Sequence, residues 1–139
     1  MNFGYKKLFI DGKLQDSHEG LKQKVICPAN GEVIGEIAEA GENDTLYALK
    51  NAKTGFKYWS SLSLKTRTDW MLKLRDAILE NENELRLAVM YEMGKTYSGS
   101  KEDTEALVNS LEWYPSAMKN YRDEQIPDYD GTHHHKMIH

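Results

Sequence analysis

A single cysteine, Cys27, serves all 139 residues, so no internal disulfide staples the chain and a reducing compartment is the expected setting. No stretch approaches the roughly 20 consecutive apolar residues that cross a bilayer as a helix. The opening residues, Met1-Asn2-Phe3-Gly4-Tyr5-Lys6-Lys7, have no apolar core of signal-peptide length. Basic clusters are missing as well: 22 acidic and 18 basic residues are spread along the chain for a formal charge of -4, and nothing in that distribution follows a phosphate backbone. The expected partners therefore include neither nucleic acid nor membrane, and the expected location is the cytoplasm. There is no internal repeat and no low-complexity linker.

What is present is the composition of a globular protein, 40% hydrophobic and 29% charged, with the length of one ordinary domain. Residues 7–10 and 13–15 flank Asp11-Gly12, a dipeptide suited to a type I′ hairpin turn. A second ribbon is expected from residues 24–27 and 33–37, joined through Pro28-Ala29-Asn30-Gly31. Helical periodicity follows. Asn43 or Asp44 is the expected cap of a first helix whose apolar stripe is Leu46, Leu49, Ala52, Phe56 and Trp59. Ser63 caps a second, long helix running to Gly94, with Met71, Leu74, Ile78, Leu85 and Val89 inward and Leu72, Leu79 and Leu87 widening that face. Ser100 and Asp103 form a capping-box signal for a third helix, lined by Leu107, Leu111, Tyr114, Met118 and Tyr121. Pro115 is expected to kink or end it. Beyond Arg122 the pattern turns to Ile126-Pro127, Asp130-Gly131 and an alternating tail, residues 132–139, suited to an exposed strand.

Four groups of residues suggest chemistry. Gly94-Lys95-Thr96 imitates the end of a phosphate-binding loop, but the full pattern requires glycine at position 89, where Val89 stands, and a preceding strand where helix is expected. A left-handed helix stop explains Gly94 without further function. Cys27 is the only thiol; on a strand before Pro28 it lacks the base or helix N-terminus that activates a nucleophile, so a structural role is expected. His133, His134, His135 and His139 place imidazoles on a strand without accompanying ligands at metal spacing. Trp59, Trp70, Trp113, Tyr114 and Tyr121 are aromatics at helical spacing, the ordinary signature of core or interface.

Taken in order, Leu8-Phe9-Ile10-Asp11-Gly12-Lys13, Cys27-Pro28-Ala29-Asn30-Gly31-Glu32-Val33-Ile34-Gly35, Ala40-Gly41-Glu42-Asn43-Asp44, Phe56-Lys57-Tyr58-Trp59 and Glu92-Met93-Gly94-Lys95 resemble the opening of an NAD(P)-dependent aldehyde dehydrogenase. The resemblance runs from Lys7 to about Tyr121. It implies an α/β fold: N-terminal β-ribbons and three long helices of a coenzyme-binding domain over residues 1–122, followed by the start of an oligomerisation β-arm over residues 123–139. It also implies a parent enzyme that oxidises an aldehyde to a carboxylic acid with NAD or NADP, through a cysteine nucleophile and a glutamate that activates water. The family's catalytic cysteine, that glutamate and the glycine motif for the cofactor all lie downstream of these segments, and the position of Cys27 usually holds asparagine. The chain is accordingly expected to be truncated before the catalytic domain, inactive alone, and dependent on self-association or on the remainder of a dehydrogenase subunit to cover its helices.

One family site falls on residues present here. Many members hold sodium or potassium with two backbone carbonyls before the Asn-Pro step and a nearby acidic side chain, which correspond to Val25, Ile26 and Glu92. Glutamate replaces the commoner aspartate. A rival from another class is a standalone interaction module that binds a protein through its strand-like tail by β-augmentation; such a module is monomeric and unfolds cooperatively, whereas an orphaned piece of a larger domain exposes apolar surface.

Overall fold

The structure is a computed structural model and describes residues 1–118, 124–126, 131–132 and 135–137. Three short strands open it: β1 (Tyr5–Lys6), β2 (Leu8–Ile10) and β3 (Lys13–Gln15). Strands β2 and β3 pair antiparallel, Leu8 opposite Gln15 and Ile10 opposite Lys13. Asp11 and Gly12 between them have φ of 55° and 71°, the two left-handed residues that a type I′ turn demands. The second ribbon also forms, with β4 (Lys22–Ile26) antiparallel to β5 (Val33–Ala38). Sequence reasoning did not anticipate β1, which lies parallel to β5 and completes a sheet of order β1-β5-β4. Two residues carry no readable alternation. What admits β1 is Gly35, where a Cβ would sit 2.8 Å from the Gly4 carbonyl oxygen, closer than real side chains come.

Four helices follow, not three: α1 (Glu42–Ser61), α2 (Leu64–Glu80), α3 (Glu82–Met93) and α4 (Gly99–Met118). The long second helix is interrupted at Asn81, whose side-chain amide donates to the Ala77 carbonyl at 2.8 Å. Asparagine competes with the backbone for its own helix's carbonyls, which is why it favours helix ends. The outer boundaries are as expected: the Ser63 hydroxyl accepts from the Thr66 amide at 3.1 Å, and Gly94 ends α3 at φ 69°.

The caps of α1 and α4 differ from expectation. Gly41 is the N-cap of α1, and Asp44 reaches back from the third position to accept its amide at 3.1 Å. At α4 the Thr96 hydroxyl accepts from Gly99 N; Ser100 already lies inside the helix, donating to the Tyr97 carbonyl, and Asp103 pairs with Lys95 rather than closing a box. Pro115 does not end α4, which continues to Met118.

The buried side of α4 is Ser100, Thr104, Leu111 and Pro115; of the expected stripe Leu111 is buried, whereas Leu107 and Tyr114 are exposed. Hydroxyls satisfied by nearby carbonyls, Ser100 on Tyr97 O just before the helix and Thr104 on Lys101 O within it, can be buried with their desolvation offset, and small side chains let α4 lie close against α2 and α3. On α2, Ile78 is buried and Leu74 and Leu79 are exposed. The stripe of α1 is uncovered along its length: Leu46, Leu49, Phe56 and Trp59 all face solvent. The sheet meets the helices where Phe3 packs edge-on against Tyr91, ring centroids 6.0 Å apart.

Strands β6 (Glu124–Ile126) and β7 (His135–Met137) pair antiparallel, Ile126 opposite His135. Tyr121, the boundary at Arg122 and Asp123, Pro127, Asp130, His133, His134, Ile138 and His139 lie outside the described residues.

Candidate functional site

The residues with most chemical interest converge at one end of the β4–β5 ribbon. Cys27 closes the ribbon's loop twice over, its amide donating to Glu32 O and its carbonyl accepting from Gly31 N, each at 2.8 Å. The thiol is buried. Gly94 brings the end of α3 onto the same loop: a Cβ there would meet Pro28 Cγ at 3.0 Å. A glycine is needed both for its left-handed φ and for that approach. Lys95 donates to Asp103 at 2.7 Å.

Because α3 ends on Pro28, Glu92 near its last turn comes close to the end of β4. Val25 and Glu92 line one cleft of about 330 Å3 between the sheet and α3, together with Phe3, Ile34, Leu85 and Ala88. Ile26 is not among its lining residues and its side chain is exposed. The β4–β5 register shifts between Val25 and Ile26. Such a bulge breaks the regular ladder and re-aims the groups beside it, here at the two residues whose carbonyls the cation reading invokes. Among the described residues no cluster of three His, Cys, Asp or Glu side chains is arranged for a metal. His135 stands in β7.

A second constellation was only half legible. Asp44 is buried; besides Gly41 N it accepts from the His18 amide and from the Ser17 hydroxyl, each at 3.2 Å. Burial raises its carboxyl, but the amides of Gly41 and His18 and the Ser17 hydroxyl together outweigh that, and its pKa lies below the usual carboxylate value. An acidic residue three positions into a helix is a capping signal; the long-range partners at 17 and 18 carry none. Arg86 was missed. It stacks on the Tyr97 ring at 3.9 Å and donates to the Tyr97 carbonyl at 2.9 Å, while the Tyr97 hydroxyl donates to Asn83, so one guanidinium pins the α3–α4 connection.

Trp70, Trp113 and Tyr114 are exposed, and Trp113 meets Tyr114 edge-on at 4.9 Å.

This arrangement of ribbons and helices has close counterparts. The model of the aldehyde dehydrogenase family matches residues 15–139, and the chain belongs to that family. It is 27% identical over 124 residues to a glutarate-semialdehyde dehydrogenase of Pseudomonas aeruginosa, covering 89% of this chain and 26% of that protein. It is 27% identical over 132 residues to the D-glyceraldehyde dehydrogenase (NADP(+)) of Thermoplasma acidophilum, covering 95% and 26%. Among solved structures, betaine aldehyde dehydrogenase of Staphylococcus aureus in complex with NAD+ superposes with a TM-score of 0.81 at 25% identity, over 89% of this chain and 25% of that one. An aldehyde dehydrogenase variant of Bacillus cereus gives 0.81 at 27% identity over 89% and 26%. The chain thus spans about a quarter of the length of these relatives, and the match falls on their N-terminal part. The fold is the α/β N-terminal coenzyme-binding region of such enzymes.

Proposed function

We propose that these residues form the outer part of the coenzyme-binding domain of an enzyme that oxidises an aldehyde to a carboxylic acid with NAD+ or NADP+. The observation that carries this is a match to the family model over residues 15–139 joined to a fold that leaves whole helix faces uncovered. Residues 1–122 supply ribbons and helices against which the remainder of a dehydrogenase subunit closes, and residues 123–139, with the β6–β7 pairing, begin a β-arm that joins subunits. Aldehyde and coenzyme are bound by that whole subunit. The 139 residues contain one thiol, Cys27, which is buried and held in a turn, so the thiolate that attacks the aldehyde comes from outside them and this stretch alone is inactive. Its location is the cytoplasm, where a lone thiol stays reduced.

Within this reading the cleft edge takes Na+ or K+. Backbone carbonyls of Val25 and Ile26 and the carboxylate of Glu92 supply hard oxygen donors, which suit such ions. The bulge at Val25 and Ile26 and the shared cleft of Val25 and Glu92 support it. Crystals grown in a heavier alkali ion should show an anomalous peak beside Glu92; a featureless map there removes the site.

Activity is tested by following aldehyde-dependent reduction of NAD+ and NADP+ with the protein expressed from its native gene and with the 139 residues alone. Turnover by the former and none by the latter is expected. Turnover by the 139 residues alone, abolished by Cys27→Ser, would overturn the assignment of the nucleophile to another part of the enzyme.

A further inference from the structure

The uncovered helix α1 and the cleft beside α3 are complementary in charge and spacing. The second half of α1 carries Lys50, Lys53 and Lys57 at intervals of three and four, so the three ammonium groups share one face beside Leu49 and Phe56. All five side chains are exposed. The cleft of about 330 Å3 has an apolar floor that includes Phe3, Ile34 and Leu85 and a rim that carries Glu36, Glu84 and Glu92 against one lysine, Lys6. Lys24 faces Glu36 across the β4–β5 ladder without reaching it as an ion pair. None of the three α1 lysines and none of the three rim glutamates is in an ion pair among the described residues. Glu84, Ala88 and Glu92 recur every four residues along α3, placing a small residue between two carboxylates. Lys50 to Lys57 and Glu84 to Glu92 each span about 10–12 Å of helix, so the two rows match in length. The small Ala88 allows close approach of a second helix.

We propose that α1 of one copy docks on the cleft of a second copy, with Phe56 over the apolar floor and the lysine row against Glu84 and Glu92. The contact is heterologous, since two different surfaces of the same chain meet, and it belongs to the 139 residues by themselves, where no further part of a subunit covers α1 and no cation occupies Glu92. Aromatic anchoring with a charged rim is the usual energetic anatomy of an interface.

Sedimentation velocity of the 139-residue chain across a concentration series tests the contact. The chain should self-associate, and Lys50→Glu/Lys53→Glu/Lys57→Glu or Glu36→Lys/Glu84→Lys/Glu92→Lys should each weaken that by tenfold or more. An equimolar mixture of the two variants should recover it to within threefold. A control of equal net charge, Lys13→Glu/Lys65→Glu/Lys101→Glu, should associate as the original does. Zero-length carboxyl-to-amine crosslinking of the unaltered chain reads the contact without any substitution, and its intermolecular links should join Lys50, Lys53 or Lys57 to Glu84 or Glu92. A monomeric chain, association indifferent to the reversals, or crosslinks confined to other residues would each overturn the proposal.

Discussion

Asp44 shows how one carboxylate ties two distant stretches of chain together. It accepts from Gly41 N, His18 N and the Ser17 hydroxyl, and through them fixes the start of α1 to the strap that follows β3. Its folded pKa lies below the ordinary aspartate value, so the linkage has a definite sign. The charged form is favoured in the folded state; its stabilising contribution is complete above the unfolded pKa and fades as pH falls through the lower folded value. Asp44→Asn should therefore lower the melting temperature at neutral pH and leave it nearly unchanged once the pH is below that lowered folded value, where the original side chain is itself protonated. An equal loss at both ends of a melting-temperature series against pH would show that shape, not charge, holds the strap. Arg86 argues differently. Its ring stack and its bond to the Tyr97 carbonyl hold a connection of backbone that has no sheet or helix of its own, and Arg86→Ala should cost about 1–3 kcal/mol in urea unfolding. Neither residue's full role was legible in the sequence, because each depends on partners brought in by tertiary packing; for Asp44 the local half, helix capping, was visible and the partners at 17 and 18 were not.

The elements marked by backbone chemistry were readable in advance, and those decided by packing were not. Asp11-Gly12 and Gly94 announce left-handed geometry, and both adopt it; Ser63 announces a cap and provides one. The family segments at 8–13, 27–35 and 92–95 fall on those same turns and ends, which is why the candidate cleft could be approached from sequence through Val25 and Glu92, while Ile26 could not be placed in its lining. By contrast the split at Asn81 is invisible to an apolar pattern that continues across it from Ile78 to Leu85. The face of α4 was read only in part: Leu111 of the expected stripe is buried, but hydrophobicity also pointed to Leu107 and Tyr114, which are exposed, whereas close packing added Ser100, Thr104 and Pro115. Gly94 offers the sharpest test at this scale. Alanine there must hold φ near 69°, at roughly 1–2 kcal/mol for a left-handed residue with a Cβ, and must also displace Pro28 from 3.0 Å. Gly94→Ala should lose about 1–3 kcal/mol in chemical denaturation. A neutral result would mean that α3 does not seat on the Pro28 loop and that Glu92 is free of β4.

At the scale of the whole molecule the distribution of apolar side chains separates the two rival readings. Only Cys27, Ile34, Ala38, Ile78 and Leu111 form the buried apolar core among the described residues, whereas Leu46, Leu49, Phe56 and Trp59 of α1 and Leu74, Leu79, Trp113 and Tyr114 of the other helices stand exposed. A self-sufficient interaction module closes its helices over one core; a piece of a larger domain leaves them for the rest of that domain. The two cases respond oppositely to a pair of substitutions studied where the chain is dilute enough to be monomeric. Ile34 is 1% exposed, and Ile34→Ala should cost about 2–5 kcal/mol, the range for a cavity in a packed site. Phe56 is 69% exposed, so Phe56→Ser should change stability by less than about 0.5 kcal/mol while lowering the fluorescence of a bound hydrophobic dye. A module that closes on itself would show the reverse for Phe56, a loss comparable to that of Ile34 and no dye signal to reduce, because the α1 stripe would then be its core. The exposed stripe of this structure requires the first outcome, and the unfolding curves of these two variants decide it.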